Sequence, residues 1–166
     1  MKLRQIDKAV YRMKQRKVAI IFCSIFLVLG LSISAMMRAW AGNPEGSNMA
    51  VNLTGVIIGL LITGGIYALV VKKPFFDEIR YAWKLKRQVL KIQNKKHIWK
   101  DKVEAGDQTA ATVMAFYYAG VTQIQFLENN EFGQQEMMEE QAGFESRCAV
   151  HNLDHEADRF SVDMLS

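Results

Sequence analysis

The sequence predicts an all-α membrane protein: a transmembrane helical hairpin, then a cytosolic antiparallel helical hairpin, then an acidic tail. Three observations predict it. Residues 18–37 and 51–71 are apolar runs without a charged side chain. At a rise of about 1.5 Å per residue, roughly 20 residues cover the ~30 Å hydrocarbon core of a bilayer. Between the runs lies a short connection rich in turn formers, and beyond them apolar residues recur at helical spacing.

Charge sets the expected orientation. Residues 1–17 carry seven basic side chains and one acidic, and residues 72–102 carry eleven and three. Residues 103–166 reverse the balance, with two basic and twelve acidic. The connection at residues 38–50 has a single basic residue, Arg38. Lysine and arginine are retained on the cytoplasmic side during insertion, so both basic flanks are expected inside an inner membrane and the connection in the periplasm. About a hundred residues lie outside the two runs, enough for one small soluble unit. Cys23 falls in the first run and Cys148 in the tail, which argues against an intramolecular disulfide. Ala39-Trp40-Ala41 offers a small-x-small cleavage pattern, but an uninterrupted core of this length exceeds a signal peptide's, so retention is expected.

Taken in order, Leu3, Ile6, Val10 and Met13 of the basic segment 1–17 share a helical stripe suited to an anionic leaflet, although its basic residues serve first as an insertion signal. The first span, 18–37, ends near Trp40, an interfacial residue. Gly42, Pro44 and Gly46 allow the chain to reverse. In the second span, 51–71, Gly55, Gly59 and Thr63 recur every four residues and predict a helix-packing face, with Gly30 and Ser34 of the first span as the favoured partner and another copy as the alternative. The soluble hairpin, 72–128, is expected as one helix over about residues 75–105 and a second over about 108–128, with Asp107 as cap and Gly106 as stop. Tyr81, Leu85, Val89, Ile92, Trp99 and Val103 share the apolar face of the first; Ala110, Val113, Met114, Tyr117, Val121 and Ile124 form the stripe of the second. In the tail, 129–166, an acidic helix over 134–145 is expected to bear Met137, Met138 and Phe144 on its surface, the rest being mobile or partly ordered.

Several of these elements carry a resemblance. Tyr81-Ala82-Trp83-Lys84-Leu85-Lys86-Arg87, Gly106-Asp107 and Phe116-Tyr117-Tyr118-Ala119-Gly120, with Gln123, Leu127 and Asn129, lie on the predicted helical hairpin. Together with Ile6-Asp7, Tyr11-Arg12 and the paired spans, this pattern resembles small two-span inner-membrane proteins of Gram-negative bacteria that share a domain of unknown function, DUF3087. The resemblance covers about residues 1–130, and the tail has no counterpart within it. It implies an inner-membrane protein with a cytosolic helical region and supplies no activity, substrate or catalytic residue.

Chemistry is sparsely signalled. Cys148, His151 and His155 have a C-x2-H-x3-H spacing that would bring three ligands to one face of a helix, but structural zinc takes four ligands from a folded frame, so no metal is assigned and the tail reads as solvated. No nucleotide loop, nucleophile motif or carboxylate pair accompanies it, and neither a catalytic residue nor a cofactor is expected. Arg80, Lys84, Arg87, Lys91 and Lys95 form a basic face. Its candidate partners are anionic lipid headgroups or a protein; the acidic segment after Val103 could also fold against it, and tethering at a bilayer disfavours nucleic acid. Trp83, Trp99, Tyr117 and Tyr118 are expected as core and interface aromatics. The functional expectation is a non-enzymatic adaptor or assembly component that docks another protein or further copies of itself through the soluble hairpin. The alternative is a small homo-oligomeric channel or transport accessory packed through the glycine stripe.

Overall fold

A computed structural model describes residues 1–165, and every regular element among them is helical. The elements are α1 (Lys8–Ala41), α2 (Met49–Val70), a 3₁₀ turn (Pro74–Phe76), α3 (Asp77–Gln93), α4 (Lys96–Glu104), α5 (Gln108–Glu128), α6 (Gln134–Val150), and two further 3₁₀ turns (Ala157–Arg159 and Val162–Leu165). They form two compact units. Residues 1–12 and 78–166 make one, and residues 13–77 the other.

The unit of residues 13–77 contains the apolar stretches of α1 and α2, each long and apolar enough to cross a membrane. Small residues mediate their contact. A Cβ added to Gly55 would lie 2.6 Å from Ser34 Cα, and one on Gly59 2.7 Å from Gly30 Cα, so the backbones approach as only glycine allows. Ser34 Oγ donates to the Asn52 carbonyl at 2.8 Å, and Thr63 Oγ donates to that of Gly59 at 2.8 Å. Gly55, Gly59 and Thr63 are thus buried within the chain, while Leu31, Leu61 and Leu69 stand exposed. Edge-to-face contacts of Tyr67 with Phe22 and Phe76 complete the packing. Between the helices, Asn43 N–H donates to Asn48 Oδ1 and Asn48 Nδ2 donates back to the Asn43 carbonyl, closing the turn.

The other unit is built around α5. Its residues 110–118 are buried without interruption, so it has no solvent side over that stretch and must be surrounded. The predicted start holds: Asp107 accepts from the N–H groups of Thr109 and Ala110 at 2.7 and 3.1 Å. Gly106 has φ +83°, and Asp107 N–H donates to the Lys102 carbonyl, which ends α4 in the left-handed turn that glycine favours. Tyr81, Leu85, Val89, Ile92, Trp99 and Val103 are all buried, as their spacing predicts. Against Gly120, Val89 and Leu85 come so close that a Cβ would meet Val89 Cγ2 at 2.8 Å.

Three expectations are corrected. The single helix over 75–105 is instead a 3₁₀ turn followed by α3 and α4, broken at Asn94-Lys95, where Lys95 N–H bonds back three residues to the Ile92 carbonyl. The break lets α4 pack on both α5 and α6, a tertiary gain that periodicity cannot register. The tail is ordered core: α6 buries Phe144 and Cys148, and Phe160 stacks on Phe116 with ring centroids 3.9 Å apart. Phe144 and Cys148, four residues apart, share one face of α6, and Phe160 follows beyond that helix; each packs into the core built around α5. The segment before Lys8 is not helical. Met1, Leu3 and Ile6 pack on the core, and the Met1 amino group donates to the Phe160 carbonyl at 3.1 Å. Arg4 N–H donates to the Tyr81 hydroxyl at 2.9 Å, which donates to Gln123 Oε1 at 2.8 Å; Gln123 Nε2 returns to the Arg4 carbonyl.

Phe160→Ala is expected to lower the stability of this unit by about 3 kcal/mol in urea unfolding, because a buried ring is replaced by a cavity. Tyr81→Phe should cost about 1 kcal/mol and raise amide exchange over residues 1–6, since it removes the hydroxyl that joins Arg4 to Gln123. Tyr118→Phe should be neutral or stabilising, because the Tyr118 hydroxyl is buried and has no hydrogen-bond partner among the described residues.

Candidate functional site

The surface that separates itself from the core by chemistry is the outer face of α3. Asp77 and Glu78 open the helix and Lys91 lies in its last turn, an arrangement that suits the helix dipole. With Tyr81, Ala82, Leu85, Val89 and Ile92 turned inward, the 3.6-residue repeat leaves Trp83, Lys84, Arg87, Leu90 and Lys91 exposed. Trp83 is 63% exposed and Leu90 56%. Seven residues apart, they share nearly one azimuth, while Arg80, Lys84, Arg87 and Lys91 lie along one side of that row. Lys95 follows as the residue before α4 and is exposed too. The structure therefore brings together the five basic residues that the sequence nominates, and it adds two large apolar ones. Of the four aromatics expected in the core or at an interface, Trp99, Tyr117 and Tyr118 are buried and Trp83 is exposed.

Three other basic residues serve the fold. Lys86 pairs with Glu128 of α5, and Lys96 and Lys100 both reach Glu140 of α6, Lys96 at 2.9 Å. Lys96 Nζ also lies over the Tyr117 ring, 5.7 Å from its centroid. The acidic C-terminal half thus folds against part of the basic segment, whereas Lys84, Arg87 and Lys91 have no ion pair among the described residues. Beside Lys91, a cleft of about 490 Å³ is bordered by Asn94, Lys95, Trp99 and Asp163.

Burial and nearby charges shift several titratable groups inside the unit. Burial pushes the Tyr117 and Tyr118 hydroxyls above the ordinary phenol value, and the Glu140 charge adds to it. Burial likewise pushes the Cys148 thiol up, away from the reactive thiolate. For Glu140, burial raises the pKa, but hydrogen bonds from Lys100 and Lys96 and their charges outweigh it and hold the carboxyl below its usual value. The zinc-like spacing is not realised. Cys148 is fully buried in α6, the helix ends at Val150, and Asn152 takes a left-handed φ of 50° that separates His151 from His155. Among the described residues, no group of three or more His, Cys, Asp and Glu side chains is arranged to hold a metal ion.

A core of buried aromatic residues, an ordered C-terminal segment and two apolar helices define an all-α protein whose distinguishing surface is a basic helix face. The family model described as a protein of unknown function (DUF3087) matches residues 1–165, and the chain belongs to that family. The match extends through α6 and the last 3₁₀ turns, so the segment beyond residue 130, for which the sequence offered no counterpart, is part of the family's domain. No curated protein and no solved structure matches the chain.

Glu140→Gln is expected to destabilise the unit by about 1 kcal/mol at neutral pH. A carboxyl whose folded pKa lies below its unfolded value stabilises above the unfolded value, 4.5, and loses that contribution as pH falls through the folded one. In urea titrations of wild type and variant, the difference should narrow below pH 4.5 and then close; a constant difference would assign the effect to packing.

Proposed function

We propose that the protein is a non-enzymatic adaptor of the bacterial inner membrane. On this reading α1 and α2 form a transmembrane hairpin that holds a cytosolic helical unit at the bilayer, where it docks a partner protein. The observation that carries the proposal is that residues 1–12 and 78–166 belong to one compact unit, although the two apolar helices lie between them in the chain. An excursion that leaves and re-enters the same soluble unit needs an even number of crossings, and two apolar helices supply them. The basic flanks at both ends then favour the cytoplasmic side.

Packing in residues 13–77 supports the same reading. Small residues are buried and leucines are exposed, the reverse of a helix pair in water and the arrangement that lipid favours. The glycine stripe is occupied by Gly30 and Ser34 of the same chain, which weakens the alternative of a channel assembled through it. The adaptor role rests on the soluble unit, where Phe126, Phe132 and Met138 are among the large apolar residues that remain exposed.

Topology and docking are separately testable. With Glu45→Cys, a membrane-impermeant maleimide should label intact spheroplasts, and with Glu131→Cys it should label only after lysis; the reverse pattern would overturn the orientation. Photoreactive residues at Phe126 and Phe132 in native membranes should yield one specific foreign protein by mass spectrometry. Recovery of self-crosslinks alone would replace the adaptor with a homo-oligomer.

A further inference from the structure

We propose that the outer face of α3, formed by Trp83 and Leu90 and flanked by Arg80, Lys84, Arg87 and Lys91, docks on the anionic headgroups of a lipid leaflet. The inference rests on the membrane-anchored reading above and gives this face its ligand.

Two kinds of residue make the case together. A cationic row alone recognises any anion, and an exposed tryptophan alone fits any apolar partner. Here an indole that is 63% exposed and a leucine that is 56% exposed lie on one row of a 17-residue helix, with cationic side chains along its flank. That is the composition of an interfacial helix. The indole body enters the boundary between headgroup and acyl chain while its N–H stays hydrated, and lysine and arginine stems lie along the apolar boundary with their charges at the phosphates. The same unit buries Trp99 to 6% exposure, so its core does have room for an indole, and Trp83 is presented outward by the helical repeat.

A lipid surface fits better than a protein for three reasons. No acidic residue occurs from Ile79 to Lys100, so α3 beyond its first turn offers one sign of charge, whereas a protein interface commonly alternates signs to fix register. The fold neutralises Lys86, Lys96 and Lys100 with Glu128 and Glu140 but leaves Lys84, Arg87 and Lys91 without an ion pair among the described residues. Trp83 also follows the last residue of α2, Val70, by 13 positions, so a segment anchored by α2 meets the headgroup layer at high effective concentration. A polybasic segment next to a membrane span is attracted to anionic lipid within about a Debye length.

The test uses the full chain in nanodiscs of phosphatidylcholine with and without phosphatidylglycerol, and a lipid bearing a nitroxide near its headgroup. The Trp83 signal is taken as the difference between wild type and Trp83→Phe. In discs with phosphatidylglycerol, Trp83 emission should shift to the blue, be quenched by the nitroxide lipid and be shielded from acrylamide. Lys84→Glu/Arg87→Glu/Lys91→Glu, which changes exposed side chains only, should abolish all three effects. Trp40 provides the control for anchoring. Quenching of Trp40 with no quenching of Trp83 would overturn lipid docking and leave the anchored reading intact. Absence of quenching at both, with extraction of the chain from membranes by alkaline carbonate, would overturn both. Shielding of Trp83 in native membranes but not in anionic nanodiscs would assign the face to a protein and overturn the lipid proposal.

Discussion

Helix α5 has no solvent-exposed side over residues 110–118, and the rest of its unit follows from the need to enclose it. A helix buried on every side loses all contact with water, so its neighbours must supply complementary surface in every direction. α3 and α4 cover it with Leu85, Val89, Ile92, Trp99 and Val103, α6 with Phe144 and Cys148, and the last turns with Phe160. The N-terminal residues close what remains, through Met1, Leu3 and Ile6. Two helices alone would have left one flank of α5 wet. Contributions from residues 1–6 and 160–165 are therefore part of one core.

That closure has a topological consequence. Because residues 1–12 and 78–166 share a core, the apolar pair between them behaves as an excursion with both ends tied. The ties are specific as well as apolar: Arg4 and Gln123 clasp the Tyr81 hydroxyl, and the Met1 amino group bonds the Phe160 carbonyl. Within residues 13–77, contact is made by glycine, serine and threonine, so close backbone approach and two hydroxyl bonds do the work that leucines do in the soluble core. The two units thus obey opposite packing rules.

Charge is divided in a similar way. The basic segment is uniform in sequence, but the fold sorts it into two populations. Lys86, Lys96 and Lys100 turn toward Glu128 and Glu140 and hold α3 to α5 and α4 to α6. Lys84, Arg87 and Lys91 stay on the outer face beside Trp83 and Leu90. The second population lies beside the exposed Trp83 and Leu90 of the same helix.

The sequence by itself determined the helical class, the two apolar helices, the Asp107 cap, the Gly106 stop, the inner face of α3 and the small-residue stripe of α2. These are local properties: a period, a cap or a left-handed turn depends on residues a few positions apart. The tertiary structure decided the break at Asn94-Lys95, the core roles of Phe144, Cys148 and Phe160, the docking of residues 1–6 and the exposure of Trp83. Each depends on partners in other elements of the fold, or on which side of a helix the core finally occupies. Phe160, which lies outside the long helices, carries no period, and Trp83 lies off the inner face of α3, where the sequence does not say whether another element covers it. The basic face was legible as a stripe of charge; its apolar row became visible only when the core had claimed the other side.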